Sequence, residues 1–186
     1  MELFERCLLE EKPSELFFEY FPLATLETLM PDLYRCIDFP QFHPSHLNDV
    51  FTHILCVVDA TPPKLELRVA SLFHDIGKPY CLQIIDGVGQ FPMHPYISAF
   101  LAHHLLTGWG YNSEFVYHVK ILIHEHMAHH SSHLREITPR YIKRIKPYKD
   151  DLLLLMDADA KSHTLKSYEK RTKYITLFKD NLEKGV

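Results

Sequence analysis

The sequence lacks the features that organise disulfide-linked or membrane-spanning proteins. Its four cysteines are scattered and none has CxxC spacing, so neither a disulfide framework nor a zinc ribbon is predicted. The longest apolar runs, 54–58 and 152–156, are far too short to cross a bilayer. The acidic start of the chain is unlike a signal peptide. We therefore expect a reduced, cytoplasmic setting without a membrane partner.

An overall basic excess is also absent. The formal net charge of −4 at pH 7 argues against a general nucleic-acid-binding surface. A local patch of basic side chains does occur on or near one predicted helix, where it can meet RNA phosphates or simply form a solvated face. Its members are Arg140, Lys143, Arg144 and Lys146. RNA is therefore a possible but not a favoured partner, and the sequence assigns no oligomeric state.

What the chain does contain is a succession of helical patterns. Its 186 residues, 46% of them hydrophobic, suffice for one domain with a sizeable core. Residues 1–35 read as short amphipathic helices broken by prolines, and helices continue to about residue 184. The one strand signal lies near residues 80–92, where Asp86-Gly87 predicts a small β-hairpin. The predicted fold class is all-α with one hairpin. The core candidates of residues 1–35 are Leu8, Leu9, Leu16, Phe17, Leu26 and Leu29.

The pair His74-Asp75 stands at the end of an apolar helical run. Pro63 suits the first turn of this helix and Gly77 is well placed to end it. A carboxylate in the last turn faces the negative end of the helix dipole, which costs about 0.3–1 kcal/mol. A bound divalent cation would reverse that penalty, and imidazole with carboxylate is a sensible ligand pair. The alternative is a surface pair at a helix end.

Helical geometry supplies partners for this pair. At about 100° per residue, His126 projects from the buried face of its helix, whereas His124 lies opposite and Glu125 toward the flank. Asp159 falls on an apolar sector, where an unpaired carboxylate is costly, and Asp157 points further out. The alternative for His126 is a satisfied core histidine. His53 also flanks an apolar face, on a helix that Asn48 can cap.

The residues in this order resemble the HD-domain metal-dependent phosphohydrolases. Within that superfamily the chain is similar to the HD region of bacterial CCA-adding tRNA nucleotidyltransferases and poly(A)-polymerase-type proteins. The similar stretches include 49–53, 72–79, 91–94, 138–140 and 158–160. The resemblance implies a single HD domain over 1–186, with an N-terminal helical segment (1–35), a metal-bearing core (36–163) and a C-terminal helix (164–186). The pattern that carries it is His53, His74-Asp75, Gly77-Lys78, His94, His126 and Asp159.

The resemblance implies phosphoester hydrolysis by a metal-activated water. One divalent ion would be held by His53, His74, Asp75 and Asp159, and a second, bridged by Asp75, by His94 and His126. The mixed set admits Mn, Mg, Fe, Co, Ni or Zn, as one ion or two. Lys78 would contact a phosphate, or is a solvated lysine. His94 would be a ligand, a phosphate contact or a general acid.

The implied substrate is a nucleotide-like phosphoester, because related HD regions are linked to 2′,3′-cyclic phosphodiesterase, 2′-nucleotidase and phosphatase activities. Two departures matter: Glu125-His126 replaces a frequent His-His pair, and no nucleotidyltransferase head precedes residue 1, so CCA addition by this chain alone is not expected. The chain has no acidic pair soon after His74-Asp75 like that of alarmone hydrolases. A dinucleotide polyphosphate hydrolase and a non-catalytic RNA- or partner-binding module are the alternatives. A third, metal storage, would use His103, His104, His129, His130 and His133, which we expect to be surface histidines.

Overall fold

Helices account for most of the computed structural model, which describes residues 2–129 and 137–184. Two antiparallel strands, β1 (Gln83–Ile85) and β2 (Val88–Gln90), form the sheet of the described part. The predicted all-α class with one hairpin is confirmed. No helix among these residues is both long and apolar enough to cross a membrane. The helices are α1 (Glu2–Leu9), α2 (Pro13–Tyr20), α3 (Leu23–Leu29), α4 (Pro31–Tyr34), α5 (Val50–Ala60), α6 (Leu65–Phe73), α7 (His94–Gly108), α8 (Ser113–Glu125), α9 (Pro139–Ile145), α10 (Lys149–Lys161) and α11 (Leu165–Lys184).

Helix α6 lies at the centre of the bundle. It contacts α1, α5, α7, α8 and α10, and every residue from position 67 to Phe73 is buried. A helix that is buried on all sides needs the nearly continuous apolar run that this segment has. The predicted helix is thus confirmed, although it begins at Leu65, so Pro63 precedes it instead of occupying its first turn.

The end of α6 differs from the prediction in one respect that positions the site. The helix stops at Phe73, and the chain continues in turns that carry His74 and Asp75. Gly77 does not end the helix in a left-handed conformation, since its φ is −79°. Its role is close packing: a Cβ there would lie 2.7 Å from Ser98 N and 2.8 Å from His94 O. Glycine therefore lets the start of α7 press against the His-Asp turn.

Side-chain caps fix the start of several helices. Asp49, one residue later than predicted, caps α5 by accepting a hydrogen bond from Thr52 N at 3.0 Å. Asn112 caps α8 and Thr138 caps α9. Asp49 is better placed than Asn48 because the residue immediately before the first helical turn has the extended backbone that a cap requires.

The hairpin packs against the loop that precedes α5. Asp86 and Gly87 both have positive φ, 52° and 77°, as the predicted two-residue turn demands. Gly89 N donates to Phe42 O at 2.6 Å, and a Cβ on Gly89 would lie 2.2 Å from Gln41 O. The second strand thus lies directly on the loop backbone. This contact places the residues after the hairpin, including His94, above the end of α6.

The N-terminal helices cover one side of the core and α11 covers α10. Leu8, Phe17 and Leu26 are buried as predicted, and Leu16 is partly buried. Leu9 and Leu29 are 44% and 46% exposed, so the prediction was wrong for them. Each of these helices has at most eight residues and buries one narrow stripe, which Leu8 and Leu26 already fill. Cys7, Cys36, Cys56 and Cys81 are free thiols.

Candidate metal centre

Asp75 lies at the centre of a buried cluster of imidazoles. Its Oδ2 atom is 3.2 Å from His53 Nε2 and 3.2 Å from His74 Nε2. Its Oδ1 atom is 3.3 Å from His94 Nε2 and 3.8 Å from His126 Nε2. The two oxygens of one carboxylate thus face two different groups of histidines. The surface-pair interpretation is wrong, because Asp75 is 1% exposed and His74 fully buried.

Asp159 joins the cluster from α10. Its Oδ1 atom is 3.2 Å from His53 Nε2, and the residue is buried. Asp157, two positions earlier on the same helix, points outward and pairs with Lys161 at 2.7 Å. All six residues predicted from the sequence as metal ligands therefore lie side by side in the fold. They come from α5, the end of α6, α7, the end of α8 and α10.

Hydrogen bonds orient three of the imidazoles. The Nδ1 atom of His74 lies 2.7 Å from Ser71 O. His94 and His126 make the same contact, each with the carbonyl three residues earlier and each at 2.7 Å. A carbonyl can only accept, so Nδ1 carries the proton in all three rings. The Nε2 lone pairs therefore point into the cluster.

His53 is oriented by a side chain instead of a carbonyl. Its Nδ1 atom is 2.7 Å from Ser162 Oγ, and that hydroxyl donates to Asp159 O at 2.7 Å. Since the hydroxyl proton is used on the carbonyl, the hydroxyl oxygen accepts from His53 Nδ1. His53 Nε2 then also presents a lone pair to Asp75 and Asp159. The serine thus links a histidine of α5 to a backbone carbonyl of α10.

The centre contains more acceptors than donors. His53 Nε2 and His74 Nε2 are 3.2 Å apart, and His94 Nε2 and His126 Nε2 are 3.3 Å apart. Asp75 Oδ1 is buried and has no hydrogen-bond partner. Lone pairs that face one another at such distances repel unless positive charge lies between them. The arrangement is suited to holding cations.

The lowered pKa values of His94 and His126 agree with neutral rings, whereas the raised pKa of His74 reflects the negative charge of the neighbouring carboxylates. Burial lowers the pKa of His94 to about 4 and that of His126 well below its usual value, so both rings stay neutral. Burial alone would raise the pKa of Asp75, but His74 and Lys78 hold it well below its usual range. Burial also opposes protonation of His74, yet Asp75 and Asp159 raise its pKa, because a proton there supplies positive charge beside two carboxylates.

Lys78 is buried against the centre. It is 5% exposed, and its Nζ atom lies 2.6 Å from Asp75 Oδ2 and donates to Gln41 Oε1 at 2.7 Å. The interpretation of Lys78 as a solvated lysine is therefore wrong. Its ammonium also lies 5.3 Å from the centroid of the Phe91 ring. Hairpin and loop together thus hold this positive charge beside the carboxylate.

A cavity of about 480 Å³ opens above the cluster. Its floor includes Asp75, His126 and Asp159, and the hairpin end around Phe91 forms one wall. This volume lies in the range of pockets that take small molecules of nucleotide size. The cavity gives a ligand direct access to the cluster.

Four further residues at this cavity or beside it were not predicted. Arg171 Nη1 is 3.1 Å from Asp159 Oδ2, and it helps to lower the pKa of that carboxyl well below its usual range against the effect of burial. His163 Nδ1 lies 2.7 Å from Asp159 O, and its buried Nε2 atom has no hydrogen-bond partner. The i, i+4 spacing of Asp159 and His163 was a usable signal. Arg171 offered none, because α11 reads as a polar helix. The other two unpredicted residues are His46, which forms an isolated β-bridge with His163, and Ser162, which contacts His53.

Glu125, next to His126, belongs to a separate cluster. It is buried, and it accepts hydrogen bonds from Tyr141 Oη at 2.8 Å and Arg144 Nη2 at 2.7 Å. His124 Nδ1 lies 2.7 Å away. These donors lower its pKa although burial opposes them. The sequence prediction that His124 and Glu125 do not converge with His126 is confirmed. Arg144, one member of the basic patch on or near α9, is therefore already paired with a carboxylate of the protein.

The histidines of the metal-storage alternative are only partly on the surface. His104 is exposed and His103 partly buried. His129 is 1% exposed, with Nδ1 3.1 Å from His126 O, so the expectation of a surface histidine was wrong there. It lies in the turns that directly follow α8, next to the buried His126. His130 and His133 lie outside the described residues.

Curated relatives of this chain are named as a CC-adding tRNA nucleotidyltransferase and as multifunctional CCA proteins. The CC-adding tRNA nucleotidyltransferase of Thermus thermophilus is 31% identical over 146 residues, which are 74% of this chain and 33% of that protein. The multifunctional CCA protein of Aromatoleum aromaticum is 37% identical over 78 residues, 39% of this chain and 19% of the relative. That of Ralstonia nicotianae is 39% identical over 79 residues, 39% of this chain and 18% of the relative.

The chain thus spans between about a fifth and a third of the length of these relatives. No protein-family model matches it. The sequence identity to these relatives supports the resemblance to nucleotidyltransferase-type proteins.

Proposed function

We propose that this chain is an HD-type metal-dependent phosphohydrolase that acts on a phosphoester of a nucleotide or of an RNA end. The observation that carries the proposal is the convergence of imidazole lone pairs and carboxylate oxygens on Asp75 at the floor of a cavity. A structural cluster of this size would be expected to alternate donors and acceptors, as the one around Glu125 does. An excess of acceptors over donors fits a cation.

The donor atoms have the spacing that a divalent ion requires. Metal–nitrogen and metal–oxygen bonds of about 2.1 Å separate neighbouring ligand atoms by about 3.0–3.4 Å. His53 Nε2 lies 3.2 Å from His74 Nε2, from Asp75 Oδ2 and from Asp159 Oδ1, and His74 Nε2 lies 3.2 Å from Asp75 Oδ2. Those are the four residues that would hold one ion. Asp75 Oδ1, His94 and His126 would hold a second.

A divalent cation bound there would lower the pKa of a water and neutralise phosphate charge. The chain itself supplies the other functions. Lys78 lines the cavity with an ammonium that has three donors, two of which are used on Asp75 and Gln41. Arg171 uses one of its donors on Asp159 and lines the same cavity. Both would orient the phosphate of a substrate toward the floor.

The relatives guide the substrate class. One of them is named for adding CC to tRNA and others are named multifunctional CCA proteins. For the present chain we propose nucleotide-like phosphoesters, with 2′,3′-cyclic phosphates as the first to test. The cavity volume of about 480 Å³ accommodates a mononucleotide.

The test combines metal analysis with turnover. The purified protein is assayed for bound transition metals and for hydrolysis of a 2′,3′-cyclic nucleotide and a generic phosphodiester with several added divalent ions. Asp75→Asn removes the bridging carboxylate, and Asp157→Asn is the control. We expect metal-dependent turnover in wild type and in the control, and none in Asp75→Asn. Bound metal without turnover of any phosphoester would refute the phosphohydrolase and favour the binding module. The absence of both bound metal and turnover with any added divalent ion would likewise refute the phosphohydrolase.

A further inference from the structure

A second cavity of about 450 Å³ adjoins the one above the metal centre. The two share the lining residues His43, Ser45, Met127 and Arg171. From this junction the second cavity follows the first turns of α11. A ligand held at the metal centre can therefore extend along α11 without leaving the surface of the protein.

This second cavity is positively charged. Lys166, Lys170 and Arg171 line it, and no acidic side chain does so among the described residues. Lys166 and Lys170 make no ion pair with any residue that the structure describes. Lys161, by contrast, pairs with Asp157. The two lysines are one helical turn apart on the same face. In a chain of net charge −4, this is a local concentration of unpaired positive charge.

The start of α11 also favours an anion. Thr164, Lys166 and Ser167 line the second cavity there, and the first amide groups of this helix of 20 residues carry partial positive charge. Arg171 lines both cavities, so its guanidinium adds positive charge where they meet.

We infer that the groove of Lys166, Lys170 and Tyr174 is a second phosphate site, which holds the nucleotide next to the hydrolysed phosphoester. The inferred ligand is the end of a single-stranded nucleic acid, in which a second phosphate and a second base follow the first nucleotide. Lys166 and Lys170 contact that phosphate, and Tyr174, two turns along α11, offers a ring for the base to stack on. This inference rests on the proposed function, which puts the scissile phosphate at Asp75 and so directs the next nucleotide along α11.

The experiment compares a 2′,3′-cyclic mononucleotide with a pentanucleotide that ends in a 2′,3′-cyclic phosphate. Wild type is expected to have a kcat/KM at least tenfold higher for the pentanucleotide, through a lower KM. Lys166→Glu/Lys170→Glu removes this preference and leaves mononucleotide turnover within about twofold. Lys179→Glu, an exposed lysine of the same helix outside the groove, keeps it. Tyr174→Ala lowers pentanucleotide affinity roughly tenfold.

A binding measurement separates this inference from the proposed function. Fluorescence anisotropy measures the affinity of the protein for a labelled pentanucleotide with a free 3′ hydroxyl at several salt concentrations. This measurement does not depend on turnover. Binding that weakens at least tenfold in Lys166→Glu/Lys170→Glu but not in Lys179→Glu supports the groove even if no phosphoester is hydrolysed. Mononucleotide hydrolysis without preference for the pentanucleotide, or equal binding by the two variants, overturns the groove and leaves the phosphohydrolase standing.

Discussion

Two buried carboxylates of this protein, Glu125 and Asp75, differ in what surrounds them. Glu125 is surrounded by donors: the Tyr141 hydroxyl, the Arg144 guanidinium and an imidazole. Asp75 has Lys78 as a donor but otherwise faces imidazole nitrogens whose protons are used elsewhere. Its Oδ1 atom has no hydrogen-bond partner. The protein completes the first site by itself, whereas the second keeps acceptor atoms that could hold a cation.

The comparison shows that burial of a carboxylate near histidines does not by itself indicate a metal. Both sites satisfy that description, and both carboxylates have a lowered pKa. What distinguishes them is the state of the neighbouring nitrogens, which is set by hydrogen bonds on the far side of each ring. Matched variants of the two carboxylates therefore test the assignment of Asp75, and not Glu125, to a metal site.

The largest expected effect is on activity. Asp75→Asn should lower phosphoester hydrolysis by at least about 10³-fold, because it removes the carboxylate whose two oxygens face the two groups of histidines. Glu125→Gln should leave kcat within about threefold but destabilise the fold by about 3 kcal/mol, since it leaves Arg144 facing a neutral group. Steady-state kinetics and urea unfolding of both variants measure this. Equal loss of activity in both would contradict the distinction.

Asp159 and Asp157 give a second matched pair on one helix. Asp159→Asn should weaken metal binding by about 100-fold or more, because the carboxylate faces His53 at the centre. Asp157→Asn removes only an exposed pair with Lys161 and should bind metal like wild type. Isothermal titration of metal-free protein measures both affinities. A similar loss in the two variants would show that charge near α10, not coordination, is responsible.

Metal removal should affect stability through the Asp75 site alone. At a metal concentration of about 100 times Kd, binding adds about 2.7 kcal/mol, which is roughly 5–10 °C in Tm for a chain of this size. A chelator should therefore lower the Tm of wild type and of Glu125→Gln by the same amount. In Asp75→Asn it should have no effect. Differential scanning fluorimetry gives the three shifts, and a chelator effect in Asp75→Asn would place the metal elsewhere.

The Ser162 hydroxyl tests the outer hydrogen bonds of the centre. Ser162→Ala removes the partner of His53 Nδ1 and should weaken metal affinity about tenfold, without loss of a ligand. Thr176→Ala, which removes an exposed hydroxyl bonded only to the backbone of its own helix, is the control. Both are measured by competition with a chromogenic chelator. Unchanged affinity in Ser162→Ala would mean that His53 does not depend on this orientation.

The smallest expected effect is a pH dependence of stability at Glu125. Its pKa in the folded protein lies below the ordinary value of 4.5, so its contribution is fully present above pH 4.5 and is lost as pH falls through the folded pKa. The stability difference between wild type and Glu125→Gln should therefore be constant from pH 7 to 5 and shrink below that. Urea unfolding at three pH values measures it. A difference that grows on acidification would reverse the sign of the linkage.

Much of the fold follows from local pattern. The apolar run of α6, the Asp86-Gly87 turn and the caps Asn112 and Thr138 are short-range features that the sequence displays directly. Helical periodicity also distinguished Asp159 from Asp157 and His126 from His124. What it could not give is packing between distant elements. The close approach of α7 that requires Gly77 is visible only once Ser98 is in place.

The candidate site shows the same limit. The resemblance assembled six metal-site residues from five parts of the chain, and the fold brings them together. Arg171 and the burial of Glu125 depend on how α11 and α9 pack, which no local pattern specifies. Lys78 was judged by its sequence neighbours, whereas its burial depends on Gln41 from a distant loop. The one-domain organisation, the ligand assignment and the number of ions stay predictions.

Anomalous X-ray diffraction at the absorption edge of the bound metal tests the central claim most directly. The protein is crystallised with the ion found by elemental analysis, and a second crystal is grown from Asp75→Asn. We predict an anomalous peak within about 2.3 Å of Asp75 and the imidazole Nε2 atoms around it, and no such peak in the variant. A wild-type crystal without this peak, or with the metal bound only at surface histidines, would contradict the account.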